Sequence, residues 1–438
     1  MEGPRIAVLG AGGLIGFGLA RDLMERGFAV RALARRFTRS QLWALGECAI
    51  RTPLVSLPKD ALAKLLADAD IVVNCIGVLQ DGAGMDTDAV HRQFVATLSA
   101  VCAAAPQKLL IQISVPGAPE EDRTAFSRSK RQGEALIEVS GAPFAILRPG
   151  FVIAPAAYGG SALMRALASL SLRLPAREGR APFAAVALSD ICETVARIAA
   201  RWRNGERDWA ARWDLVEEQP GTVQEIVDGF RAHGGGPRPL MTVPGFLLSL
   251  GILAGDMLAW LGWTPPMRST AIREMRRGLK GDPGPWIAAT GIAPRSARLT
   301  LAALPATVQE TWFARLYLLK AVILVTLVLF WCLSSLIALT VGFAGARSIL
   351  LSHGMAFPLA HWLTLISSLM DMSVGILIAF RRTSRLGLVA GLGLSLSYMV
   401  LAAILTPELW VEPLGALVKT GPAIILMLVA LALSDDRG

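Results

Sequence analysis

RIAVLGAGGLIGFGLARDLME, residues 5–25, opens on a short apolar run, turns through Gly10, Gly13 and Gly16, and continues with helical spacing. An apolar run that meets glycines before an amphipathic stretch predicts strand, tight turn and helix. Glycine suits this turn because the backbone folds sharply and its N–H groups must stay open at the helix start. A pyrophosphate could then rest on Gly10, Gly13, Leu14, Ile15 and Gly16, against the positive end of the helix.

Outward from that turn the pattern repeats. Ile6–Leu9, Ala29–Leu33, Ile71–Cys75, Leu109–Ile113 and Phe144–Leu147 read as buried parallel strands, with helical stretches such as Leu14–Arg26 and Val90–Ala105 between them. Strand and helix in alternation predict an α/β Rossmann-type fold, a doubly wound parallel sheet. A smaller substrate-side lobe is expected to follow. The expected division is a 1–305 domain, with a nucleotide half at 1–150 and a substrate lobe at 151–305. A linker at 306–320 and an all-α four-helix transmembrane domain at 321–438 complete it. Residues 243–263 are apolar but carry Pro244, three glycines and Asp256, which suits a core or membrane-surface helix better than a span.

The chain is 53% hydrophobic and 18% charged, with net charge +9. Only 11 charged residues fall in 321–438, where the net charge is +1. The stretches 321–343, 357–380, 386–405 and 414–434 are long enough to cross a bilayer, which needs about 20 apolar residues per helix. The first has no charge, the second only Asp371, the last only Lys419 near one end. Arg381, Arg382 and Arg385 crowd one connection, whereas Arg347, Glu408 and Glu412 mark the others. The positive-inside rule then predicts a multi-pass inner-membrane protein with its N-terminal domain and C-terminus cytoplasmic. The missing apolar leader at residue 1 agrees with that expectation. Five scattered cysteines argue against a disulfide framework, and no ligand spacing suggests a metal. No basic run interleaved with aromatics points to nucleic acid.

An acid about 20 residues after the glycines usually binds a ribose 2′-hydroxyl. Here Arg35 and Arg36 occupy that place, with no acid between Glu25 and Glu47. Two cations favour a 2′-phosphate, hence NADP(H) over NAD(H).

These residues together resemble the extended and atypical short-chain dehydrogenase/reductases over about 1–305. The marks are GAGGLIG, Asp70-Ile-Val-Val-Asn-Cys-Ile-Gly77, Ser114 after a strand, Lys130 on a helix, and Leu147-Arg-Pro-Gly150. The closest branch looks like the nucleotide-binding accessory subunit of respiratory complex I. The resemblance implies that Asn74, Cys75 and Gly77 line the adenosine side and that Pro149 and Gly150 lie against the nicotinamide. It implies that Lys130 holds the ribose, and offers Ser114 and Lys130 as catalytic groups. The C-terminal part is similar to DoxX-like membrane domains, through Pro407-Glu-Leu-Trp410-Val-Glu-Pro413-Leu-Gly415 and Lys419. Partners implied are a nucleotide cofactor, the lipid bilayer, and a quinone or membrane redox complex.

The chain departs from the family in one decisive place. Tyr-x-x-x-Lys is here Phe126-Ser-Arg-Ser-Lys130, and phenylalanine has no proton to give. Tyr158 is the candidate replacement, and Ser56 stands where an aspartate often meets the adenine. Within the spans, Asp371, His361 and Lys419 could line one polar pocket, because an ionisable residue in lipid is a functional candidate by default. The functional expectation is a membrane-anchored NAD(P)(H)-binding oxidoreductase acting on an apolar partner. The alternative is a non-catalytic nucleotide-binding module of a membrane complex.

Overall fold

The computed structural model describes residues 3–82, 86–411 and 417–435. Glu412, Pro413 and Gly415, and the tail after Asp435, lie outside these. The described chain forms two compact units. The first runs to Asp256 and resumes over Pro266–Ala314; the second comprises Met257–Pro265 and the chain from Arg315 onward.

The first unit is built on a seven-stranded parallel sheet. Its strands are β1 (Arg5–Leu9), β2 (Ala29–Ala34), β3 (Ala49–Arg51), β4 (Ile71–Asn74), β5 (Leu109–Ile113), β6 (Phe144–Pro149) and β7 (Ala210–Leu215). They lie in the order β3-β2-β1-β4-β5-β6-β7. The order reverses direction between β1 and β4, which opens a crevice at their carboxyl ends. Strands covered on both faces must be apolar throughout, and every residue of β4 and β5 is buried. One core packs α1 (Leu14–Glu25) and α4 (Leu188–Arg203) on one face, with Leu19, Leu23, Ile191 and Val195 against Ile6 and Val8. On the other face α2 (Phe94–Ala103) and α3 (Ala125–Glu138) contribute Leu98 and Ile137 beside Val72 and Leu110.

The boundary expected at 150 needs correction. β7 and α4 come from the stretch assigned to the substrate lobe, yet β7 extends the sheet beside β6 and α4 covers it. What remains of that lobe has its own core, in which Ile153, Met164, Phe183, Val223, Phe230 and Leu248 meet Ile272 and Met275. Leu248 lies on α5 (Gly245–Trp260), and Ile272 and Met275 on α6 (Ser269–Arg277).

Among the described residues, three helices are long and apolar enough to cross a membrane: α7 (Val308–Leu339), α8 (Phe357–Ala379) and α9 (Ser384–Leu405). The expected linker 306–320 is therefore mostly helix, because α7 begins at Val308. At 1.5 Å per residue its 32 residues span about 48 Å, more than the ~30 Å hydrocarbon layer, so the turns bearing Glu310, Arg315 and Lys320 lie outside it. Part of the fourth expected span lies outside the described residues. Its described part is α10 (Thr420–Ala432), 13 residues, or about 20 Å.

Candidate active site

The glycine turn is shaped as its sequence requires. Gly10 has φ +80°, and a Cβ there would stand 3.0 Å from the Cys75 carbonyl carbon and the Ile76 nitrogen. A Cβ on Gly16 would come 2.4 Å from the Gly10 oxygen. Gly10 N–H and Ala11 N–H both donate to the Leu33 carbonyl, at 2.8 and 3.1 Å, which folds the turn over β2. Gly13 caps α1 without a side-chain bond, so the first N–H groups of the helix, at Leu14, Ile15 and Gly16, face the crevice open. Arg35 and Arg36 follow β2 with exposed side chains. Ser56 is exposed as well, its hydroxyl donating to the Pro53 carbonyl at 3.0 Å.

The β4 end is shaped by Asn74. Its fully buried side chain donates to Gln112 Oε1 at 2.8 Å and accepts from Ile76 N–H at 3.1 Å. Asn74 thus fixes the turn rather than offering free hydrogen-bonding groups. Cys75 is inert, since burial pushes its thiol up to about 12 against the pull of Lys130.

Lys130, on α3, is buried, and Nζ donates to the Ile113 carbonyl at 2.9 Å and more distantly to that of Ile76 at 3.4 Å. Burial pushes its ammonium down to about 8. Ser114, next after Ile113, has a buried hydroxyl with no hydrogen-bond partner among the described residues. A buried polar atom without a partner is costly, so a group that fills that bond is favoured there. Gly77 lies against the lysine, where a Cβ would be 3.3 Å from Nζ. Pro149 ends β6, and the Gly150 backbone is held by the Leu215 carbonyl at 3.0 Å. A Cβ on Gly150 would stand 2.3 Å from the Ala184 oxygen, so only glycine fits.

His91 joins this group unforeseen. Its Nε2 accepts from Val78 N–H at 3.1 Å, which leaves Nδ1–H to donate to Ser129 Oγ at 2.9 Å; Ser129 in turn donates to the Phe126 carbonyl at 3.1 Å. Burial and the charge of Lys130 push the imidazole down to about 2, so it is neutral. Its ring meets Phe126 edge-on at 5.6 Å. The half-buried Phe126 ring thus packs on the imidazole, four residues before Lys130 on the same helix. Tyr158 stands apart in character: it is half exposed, with hydrogen bonds only between its backbone and Ser161.

Residues 10–174 match the NAD(P)H-binding family, and residues 328–428 the DoxX-like family. A ceramide reductase of Caulobacter vibrioides is 28% identical over 263 residues, covering 59% of this chain and 79% of that protein. Among solved structures, UDP-glucuronic acid 4-epimerase of Bacillus cereus in complex with NAD has a TM-score of 0.52 at 16% identity. It covers 72% of this chain and 97% of its own. The human epimerase family protein SDR39U1 with NADPH scores 0.51 at 18% identity, covering 68% and 98%. The chain joins an NAD(P)-binding Rossmann domain to a DoxX-like domain.

The Rossmann domain supports its site with a buried ion network. Glu134 receives Arg131 at 3.0 Å and also binds Arg148; Arg131 and Arg277 both bind Asp122, each at 3.1 Å. Glu274 pairs with Arg277 at 3.0 Å and accepts from Thr124 and from Ser127 at 3.0 Å. α6 is thereby tied to the loop after β5 and to the first turn of α3. A partial signal for His91 was present in Gly133, a helix-interior glycine. A Cβ there would meet the His91 oxygen at 2.3 Å, at a π-helical turn over Ala89–Gln93.

In the DoxX-like domain, Asp371 Oδ1 accepts from Tyr398 Oη at 2.9 Å, joining α8 to α9. His361 sits among Phe343, Phe357 and Trp362. Ten residues separate it from Asp371 on the same helix, about 15 Å of rise. Lys419 is exposed at the start of α10. Asp371 and His361 thus have different neighbours, and no described contact links either to Lys419. The single polar pocket expected for the three is not formed by described contacts.

Proposed function

We propose that this protein is a membrane-anchored, NAD(P)H-dependent reductase of a carbonyl borne by an apolar, lipid-like substrate, with NADP(H) preferred. The observation that carries this reading is the partnerless buried hydroxyl of Ser114. It follows directly on the carbonyl that holds Lys130 Nζ, at the same strand ends as the glycine turn. When bound, the reduced nicotinamide supplies a hydride to the carbonyl carbon, and the oxygen then needs one proton. Ser114 would donate to that oxygen, and Lys130, protonated below about pH 8 and bonded to the Ile113 carbonyl rather than to the serine, would replenish the serine proton through solvent. The open N–H groups of α1 hold the pyrophosphate, and Arg35 and Arg36 face the 2′-phosphate. Substrate class rests on the likeness to a ceramide reductase, and on three long apolar helices in the same chain.

The N-terminal unit faces the cytoplasm across the inner membrane. Arg381, Arg382 and Arg385, between α8 and α9, support that side.

A second reading has its own support: Phe126, packed on His91, removes the usual proton donor, which suits a nucleotide-binding module without catalysis. One assay separates the two. Purified full-length protein in lipid micelles is offered NADPH or NADH with a ketone-bearing ceramide analogue, a quinone, or a soluble aldehyde. Turnover of the lipid ketone with NADPH is expected, lowered about 10²–10⁴-fold by Ser114→Ala or Lys130→Met. Arg35→Glu should erase the preference for NADPH, because it sets a negative charge against the 2′-phosphate. Tight NADPH binding without turnover of any acceptor would establish the second reading.

A further inference from the structure

Helix α5 shows an unusual exterior. Phe246, Leu250, Leu253 and Met257 are each more than half exposed, and Trp260 is 91% exposed. Their spacing of four, three, four, three sets them in one stripe along the helix. The opposite face carries Leu248 and Ile252 into the core of the substrate lobe, against Ile272 and Met275. The one charge on the helix, Asp256, is paired with Arg268 at 3.3 Å. A continuous apolar stripe of this size on a domain in water marks a contact surface.

The occupant is indicated where the helix ends. Residues 257–265 belong to the second unit and are fastened to the end of span α8. Trp263 Nε1 donates to the Ala379 carbonyl at 2.8 Å, Arg381 N–H to the Leu261 carbonyl at 3.1 Å, and Arg381 Nη1 to Thr264 Oγ1 at 3.0 Å. The end of a spanning helix lies at the boundary between lipid and water, so the segment bonded to it lies there too. Trp260 and Trp263 are the residues favoured at that depth, and Arg381, Arg382 and Arg385 suit anionic headgroups. With one face packed on the lobe, α5 cannot cross the bilayer.

We propose that α5 lies in the plane of the membrane with its stripe among the acyl chains, so that the substrate lobe rests on lipid. The same lobe reaches the site through α6, whose Ile272 and Met275 pack beneath α5 while Glu274 and Arg277 hold the loop after β5. This inference takes membrane attachment from the three long helices and nothing from catalysis.

The test places an environment-sensitive fluorophore on Leu253→Cys, or on Leu250→Cys should the first misfold. The full-length protein is held in phosphatidylcholine vesicles containing phosphatidylglycerol. Wild type treated identically gives the background of native cysteines, and Trp43→Cys, at an exposed site of the sheet domain, is the control. Lipids with a nitroxide on the acyl chain should quench the α5 label at least about twofold more than the control, as seating some 5–10 Å into the interface requires. Aqueous iodide should do the reverse. Iodide access equal to the control would overturn the proposal. So would cross-linking between the labelled positions of two copies with no quenching by lipid. Neither outcome bears on turnover, so the catalytic reading stands or falls separately.

Discussion

The two units of this protein differ in where they put their large apolar side chains. In the Rossmann unit the interior is apolar, with Val8, Ile71, Leu109 and Trp286 wholly enclosed, and one group of buried charges is mutually paired around Glu134 and Asp122. In the DoxX-like unit, large side chains such as Leu329, Leu333, Ile337 and Val400 face outward, and Ser335, Thr364 and Ser368 are buried beside a small core of Leu327, Trp331, Ile378 and Leu388. Ser335 donates to the Ser368 carbonyl at 2.6 Å, and a Cβ on Gly391 would stand 3.2 Å from Trp331. Water drives the first arrangement by expelling apolar surface. Lipid removes that drive, and helices then hold together through close backbone approach and interhelical hydrogen bonds. The lesson is that a buried polar group should matter far more in the first unit than in the second.

The largest test of that contrast is Glu134→Ala. It leaves Arg131 and Arg148 without their central buried partner, and a broken buried pair costs about 3–5 kcal/mol. Denaturation followed by fluorescence of the Rossmann unit should show a loss of that size, with helical signal from the membrane unit preserved. A loss below about 1 kcal/mol would mean that water reaches the network, and the contrast would fail.

A smaller effect per pH unit is expected from titration. His91 is held at about 2, below its ordinary 6.5, so between those values the unfolded chain binds a proton that the folded chain refuses. The contribution is fully present above about pH 6.5 and is lost as pH falls toward 2, at up to about 1.4 kcal/mol per pH unit. Lys130, lowered from 10.5 to about 8, acts in the same sense at the alkaline end, adding stability as pH rises from about 8 to 10.5. Unfolding midpoints across pH should show both, and His91→Gln should flatten only the acid side. An unchanged acid slope in that variant would assign it to other groups.

The smallest effect belongs to Tyr398→Phe. It removes the hydrogen bond to Asp371 between α8 and α9, and such bonds within membrane helices average about 0.6 kcal/mol. Thermal unfolding in detergent should shift barely. A loss matching that of Glu134→Ala would erase the distinction between the units and mark Asp371 as more than a helix contact.

The sequence by itself determined whatever rests on local periodicity and local sterics. Gly10, Gly13 and Gly16 declared the turn because only glycine leaves room for backbone there, and the long uncharged stretches declared helices suited to lipid. Lys130 and the missing phenol at Phe126 were also legible, being four residues apart on one helix. Tertiary structure alone decided the rest. β7 carries Arg212 and Asp214 and shows no buried-strand pattern, yet it joins the sheet because β6 needs a neighbour for its backbone. Of the fourth stretch the described residues form helix α10. Glu274 lies 150 residues beyond Thr124, and His91 lies 38 residues before Ser129. No local pattern links such pairs; they meet because the buried groups of one segment had unmet charges and hydrogen bonds that only a distant segment, brought close by packing, could satisfy.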